Sequence, residues 1–236
     1  MKINLKDICR NMLNTTTKKK ILIAGEGDIG KYIKSKLQYD YSIITVSRSS
    51  GDYIGDLSDQ NFVKNLAEKT GVVYSVICCV GGPQKNDCID NLEFDFFTTF
   101  QNNLFAPINL TRYYFEKMKK EKEGCFIYMS SNLTSCIRTP KNYLAYTLAK
   151  SSLEKMTDIL STNEANTNIR FNCIKLGFVR TNKYRESMNN IDMIKKTGSL
   201  SGFVEEKQVY EMIKFILNNK SITGLTVRLD NGNHHI

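Results

Sequence analysis

Nowhere in the 236 residues does an apolar run approach the eighteen or so needed to cross a bilayer; the longest, Val72 to Val80, has Tyr74 and Ser75 inside it. The N-terminus, MKINLKDICRNMLNTTTKKK, lacks the continuous apolar core of a secretory signal, so the expected location is cytoplasmic. A disulfide framework is missing as well. The 7 cysteines are odd in number, and the adjacent Cys78-Cys79 fits neither disulfide nor zinc spacing, which favours reduced, mostly buried thiols. The 2 histidines, His234 and His235, stand at the chain end with no carboxylate or cysteine beside them, so no metal site is expected. Proline is scarce, at 3 residues against 14 glycines. With 41% hydrophobic and 24% charged residues, that composition excludes disordered, collagen-like and coiled-coil chains and leaves a globular domain.

Acidic charge is in deficit: 33 basic against 24 acidic residues give +9. The excess is spread out, with Lys18-Lys19-Lys20 before the first strand, Lys117 to Lys122 interleaved with glutamates, and a looser group from Arg180 to Lys196. No aromatic-interleaved basic stripe is present, so solvated faces are the better reading and a nucleic-acid partner is not expected.

What is there is alternation. After an extension over residues 1–18, residues 19–236 read as one domain without repeats or linkers. Apolar, β-branched runs at Ile21 to Ala24, Tyr41 to Val46, Val72 to Val80, Cys125 to Met129, Arg170 to Lys175 and Leu225 to Leu229 predict strands. Between them lie helical spacings over Lys31 to Leu37, Gln60 to Lys69, Phe94 to Lys120, Tyr143 to Thr162 and Val204 to Asn218. Such an order predicts an α/β fold, a doubly wound parallel sheet of about seven strands with helices on both faces and ligands at the carboxyl ends of the strands.

Gly25-Glu26-Gly27-Asp28-Ile29-Gly30 is a GxGxxG at the first strand-to-helix turn, where glycines let backbone amides approach a pyrophosphate at a helix N-terminus. A glycine turn serving only close packing is the plainer alternative. The second strand ends Val46-Ser47-Arg48-Ser49: with hydroxyls and a guanidinium where an acid would hold the ribose of NAD, a 2′-phosphate and hence NADP is favoured. Asp56-Leu57 suits the adenine amino group, though an Asp before a helix is also a plain cap.

Tyr146 and Lys150 lie four apart, on one face of a helix, and the Lys cation favours ionisation of the phenol. The spacing is not specific, since Tyr113/Lys117 and Tyr210/Lys214 share it; only Tyr146 follows a strand ending in hydroxyls, Ser130-Ser131, and precedes one leading to Gly177. Together with the glycine turn, Asp56-Leu57, Asn103-Leu104 with Leu110-Thr111, Ile169 to Asn172, and Gly177-Phe178-Val179-Arg180-Thr181, these motifs resemble the short-chain dehydrogenase/reductase family from about residue 20 to the end. The resemblance implies Tyr146 as general acid in carbonyl reduction, Lys150 on the nicotinamide ribose, Ser131 on the substrate oxygen, and Asn103 supporting a water relay. It also places Val80, Gly81, Gly177, Val179 and Thr181 beside the cofactor, and implies a homodimer or homotetramer.

Departures from the family pattern are equally legible. The glycine turn is one residue short; Cys78-Cys79-Val80-Gly81 stands for Asn-Asn-Ala-Gly, Leu176-Gly177 for Pro-Gly, and Asp230-Asn231-Gly232 for Asp-Gly-Gly. Ser131 lies fifteen positions before Tyr146, which leaves Ser130 and Thr134 as substitutes. The expected function is NADPH-dependent reduction of a small polar, phosphorylated or sugar-like ketone; the alternative is a catalytically idle NADP-binding regulator. Residues 178–203, with Gly198 and Gly202, are expected to cover the substrate.

Overall fold

The computed structural model describes residues 18–84, 87–91, 96–136, 141–182 and 202–232. Residues 1–17 of the expected extension, most of the expected substrate cover, and both histidines lie outside the described residues. The strands are β1 (Lys20–Ala24), β2 (Ser42–Ser47), β3 (Tyr53–Ile54), β4 (Ser75–Cys78), β5 (Gly124–Ser131), β6 (Ile169–Leu176) and β7 (Thr226–Leu229), all parallel, in the order β3-β2-β1-β4-β5-β6-β7. The helices are α1 (Asp28–Leu37), α2 (Gln60–Thr70), α3 (Phe97–Phe100), α4 (Ala106–Glu121), α5 (Leu144–Asn163) and α6 (Glu206–Asn218). Order reverses between β1 and β4, and that switch point opens the crevice in which a doubly wound sheet takes its ligand.

Strand alternation sorts the core into two layers. Leu22, Ala24, Phe126, Tyr128 and Phe171 face one side and pack with α2, α4 and α5, where the rings of Phe126 and Phe171 stack 5.3 Å apart. Ile21, Ile23, Ile77, Ile127 and Ile174 face the other, against Ile33 and Leu37 of α1 and Val209, Ile213 and Ile216 of α6. Every residue of β5 and β6 is buried, which requires partners for their polar side chains. Arg170 turns one guanidinium nitrogen onto the carbonyls of Ile216 in the last turn of α6 and of Asn219 and Ile222 just after it. Among the described residues no helix is long and apolar enough to cross a membrane.

Some boundaries differ from the sequence expectation. Only Ser75–Cys78 of the run Val72 to Val80 forms β4, although the Tyr74 and Cys79 amides still bond to β1 at Lys20 and Ala24. β3 has two residues, too few for an alternation to register. Helix α1 begins at Asp28, three residues earlier than the apolar spacing suggested, because Gly27 as N-cap starts it inside the glycine turn. The long helix expected from Phe94 is described from Phe97 and passes through a π-helical stretch, Gln101–Phe105, between α3 and α4.

Candidate active site

Two pockets lie along the carboxyl edge of the sheet and share Gly27, Cys79, Val80 and Gly81 as a common wall. The smaller, about 310 Å³, is lined by Gly25, Glu26, Ser47, Arg48, Asp56, Leu57, Asn102 and Ala106 among others. The larger, about 620 Å³, includes Asp28, Ile29, Gly30, Ser130, Ser131, Tyr143, Tyr146, Lys150, Gly177, Val179 and Thr181. One continuous cleft therefore gathers every residue expected to touch the cofactor, together with three of the four expected catalytic residues.

The shortened glycine turn is tight but intact. Gly25 has φ +99°, and a Cβ there would lie 2.7 Å from the Cys79 carbonyl oxygen; a Cβ at Gly30 would fall 1.9 Å from the Gly25 carbonyl oxygen. No side chain caps α1, so the positive end of the helix opens on the cleft. Asp28, in its first turn, accepts from the Asn182 backbone N–H at 2.9 Å and so ties the segment after β6 to the turn. Glu26 was not foreseen. Its carboxylate lines the smaller pocket and pairs with Lys34 at 3.0 Å. Burial favours its neutral form, but hydrogen bonds from Lys34, Ser50 and Thr45 outweigh that and hold the carboxyl below its ordinary value.

At the end of β2, Ser47 Oγ donates to the Ser50 carbonyl at 2.7 Å and accepts from the Ser49 and Ser50 amides, so the hydroxyl folds its own loop. Arg48 is exposed on the pocket rim. Asp56 accepts from the Ser58 amide and hydroxyl, while the N-cap of α2 is Asp59. The plain-cap reading thus belongs to the neighbouring acid.

Beyond β4, Cys78-Cys79 stays paired in the sheet through the Cys79 N–H to the Ala24 carbonyl at 2.7 Å. Burial pushes the Cys79 thiol up to about 12, which leaves it un-ionised. Asn103 does not line the cleft. Fully buried, its side chain accepts from the Gly82 N–H at 2.9 Å and donates to the carbonyls of Gly82 and Thr99, bracing the loop after β4 from behind. Asn103 sits inside the π-helical stretch, where backbone bonding shifts register.

Helix α5 carries Tyr146 and Lys150, and its start is set by a residue the sequence reading missed. Asp87, buried between β4 and α3, accepts from the Ala145 and Tyr146 amides at 2.7 Å each. Lys150 is buried; its Nζ donates to the Met129 carbonyl at 2.8 Å and the Val80 carbonyl at 3.4 Å, and lies 5.7 Å from the Tyr146 ring centroid. Burial lowers the ammonium to about 8. Ser131, at the end of β5, accepts from the Leu133 N–H at 3.3 Å, whereas the hydroxyls of Ser130 and Thr134 both donate to Glu154. Of the three hydroxyls, Ser131 alone lines the larger pocket without being drawn to that carboxylate.

Gly177 continues the edge through its N–H to the Leu229 carbonyl; Val204 donates to the Phe178 carbonyl and accepts from the Arg180 N–H, while the Thr181 N–H bonds to the Val179 carbonyl. Arg180, counted in the basic group, is ion-paired to Glu205 at 2.7 Å.

A family profile described as Enoyl-(Acyl carrier protein) reductase matches residues 51–234. The chain is 21% identical over 234 residues to L-xylulose reductase of Caenorhabditis elegans, covering 96% of this chain and 90% of that one. It is 25% identical over 120 residues to NADPH-dependent aldehyde reductase 2, chloroplastic, of Arabidopsis thaliana, covering 49% of this chain and 43% of that protein, so it spans under half of that relative's length. Among solved structures, ElxO with NADP bound superposes with a TM-score of 0.82 at 20% identity, covering 92% of this chain and 99% of that one. Fold, cleft and profile agree, and the chain belongs to the short-chain dehydrogenase/reductase family of NAD(P)-dependent oxidoreductases.

Proposed function

We propose that this protein is an NADPH-dependent reductase of a small polar ketone, with Tyr146 as the proton donor. The observation that carries the reading is the continuity of the cleft: the glycine-turn pocket opens directly into the pocket holding Ser131, Tyr146 and Lys150. A dinucleotide laid along it would put its adenosine against Asp56, Leu57 and Arg48, its pyrophosphate at the start of α1, and its nicotinamide toward Gly177, Val179 and Thr181. NADPH supplies the hydride when bound. The chain's own part is to hold the substrate oxygen at Ser131, deliver a proton from the Tyr146 hydroxyl to the growing alkoxide, and keep positive charge beside that phenol through Lys150. Arg48 supports NADP over NAD, because a guanidinium on the rim suits a 2′-phosphate. Asn103 acts from behind the cleft, by fixing the loop after β4.

The test is titration with NADPH and, separately, NADH, followed by nicotinamide fluorescence. Arg48→Ala is expected to weaken NADPH about tenfold and leave NADH unchanged. Tyr146→Phe is expected to bind NADPH normally and lose at least about a hundredfold in turnover. Full turnover by Tyr146→Phe refutes the assigned acid; binding of neither nucleotide refutes the cofactor.

A further inference from the structure

Beneath the end of β5 lies a polar cluster that the proposed chemistry does not use. Glu154, one helical turn after Lys150 on α5, accepts from the hydroxyl of Ser130 and from Thr134 Oγ1 at 2.7 Å on one oxygen, and from Lys175 Nζ at 2.8 Å on the other. The ion pair is largely shielded, with side chains 11% and 17% exposed for Lys175 and Glu154. Thr134 Oγ1 also reaches the Ser131 carbonyl at 2.8 Å, so the carboxylate grips the turn on both sides of Ser131. Ser130 Oγ lies 3.5 Å from the Lys150 carbonyl, which puts the same carboxylate against the helix turn that bears Lys150.

We propose that Glu154 is a positioning residue for the active site: through Ser130 and Thr134 it fixes the turn that presents Ser131, and its charge, anchored by Lys175, faces Lys150. The assignment rests on the reading of Ser131, Tyr146 and Lys150 given above. A buried ion pair adds little to stability by itself, since desolvation offsets the attraction, so this pair fits positioning better than folding. Burial drives Lys150 toward its neutral form; facing it are the thiols of Cys173, Cys78 and Cys79 and the carboxylate of Glu154, with the Tyr146 ring on the same helix. Burial raises the three thiols, which keeps them uncharged beside Lys150.

Purified full-length protein is assayed for NADPH oxidation with 2,3-butanedione and 9,10-phenanthrenequinone, with Tyr146→Phe as the control on the underlying reading. Glu154→Gln is expected to lower kcat about tenfold with KM for NADPH within about twofold. The loss of activity at alkaline pH should begin at lower pH than in the wild type. The double variant Glu154→Gln/Lys175→Met removes the unpaired cation; it is expected to recover the melting temperature but not kcat, which separates positioning from folding. A second measurement needs no turnover: acetylation of Lys150 by trace acetic anhydride across pH, read by mass spectrometry, should shift to lower pH in Glu154→Gln. An unchanged kcat overturns the proposal, as does an unchanged Lys150 titration if neither probe is reduced. Full activity in Tyr146→Phe overturns the reading beneath it instead.

Discussion

At the scale of single residues, Lys150 sets the pH behaviour. Its folded value of about 8 lies below the ordinary 10.5, chiefly because burial penalises the ammonium. The folded chain therefore binds fewer protons than the unfolded chain between these values, and this group makes stability rise with pH across that window. Function runs the other way. Charge beside Tyr146 is lost as pH rises through about 8, so turnover should fall there while the melting temperature, as far as this group contributes, rises. A pH–rate profile that stays flat to pH 10 would remove Lys150's charge from the mechanism. At this scale the sequence exposed the residues whose spacing or neighbours are distinctive: the glycine turn, Arg48, and the Tyr146/Lys150 pair. It concealed Glu26, Asp87 and Glu154, because an acid's partners in space, Lys34, the α5 amides and Lys175, are 8, 58 and 21 residues away.

Elements position these residues, and α5 depends on a cap from outside itself. Two amides at its start, Ala145 and Tyr146, rest on the Asp87 carboxylate, and the Leu144 N–H bonds to the Asp87 carbonyl. Asp87→Ala strands two donors at a mostly buried helix start and should cost about 1–2 kcal/mol, or a few degrees in melting temperature. Because Tyr146 is one of the two, turnover should fall more than stability; Asp87→Asn, keeping one acceptor, should fall between. Melting curves for the three proteins decide it, and equal midpoints would deny the cap. Most elements were legible because strands such as Ile21 to Ala24 carry continuous apolar runs while α2 and α6 show helical spacing. The π-helical stretch was not. Phe97, Phe100, Leu104 and Ile108 recur at three and four, as an α-helix would, and nothing in that spacing reveals a register shift around Asn103.

For the whole molecule, the helices behind the site leave apolar side chains uncovered. Phe97, Phe105 and Ile108 are 65%, 46% and 36% exposed along α3, the π-helical stretch and α4, and Leu148 and Ile159, 45% and 46% exposed, lie eleven apart on α5 and so on one face. An apolar face spread over two neighbouring helices is what an isologous contact buries. Family members commonly pair there, and the expectation for this chain is a dimer or tetramer built on that face. Light scattering should give twice or four times the 27.0 kDa of one chain. Phe105→Glu places a charge where a partner would press and should return a single-chain mass while NADPH still binds, because Phe105 lines neither pocket. A wild-type mass of one chain would mean that this face stays open to water, and the Tyr146 helix would then owe its rigidity to Asp87 and the sheet alone.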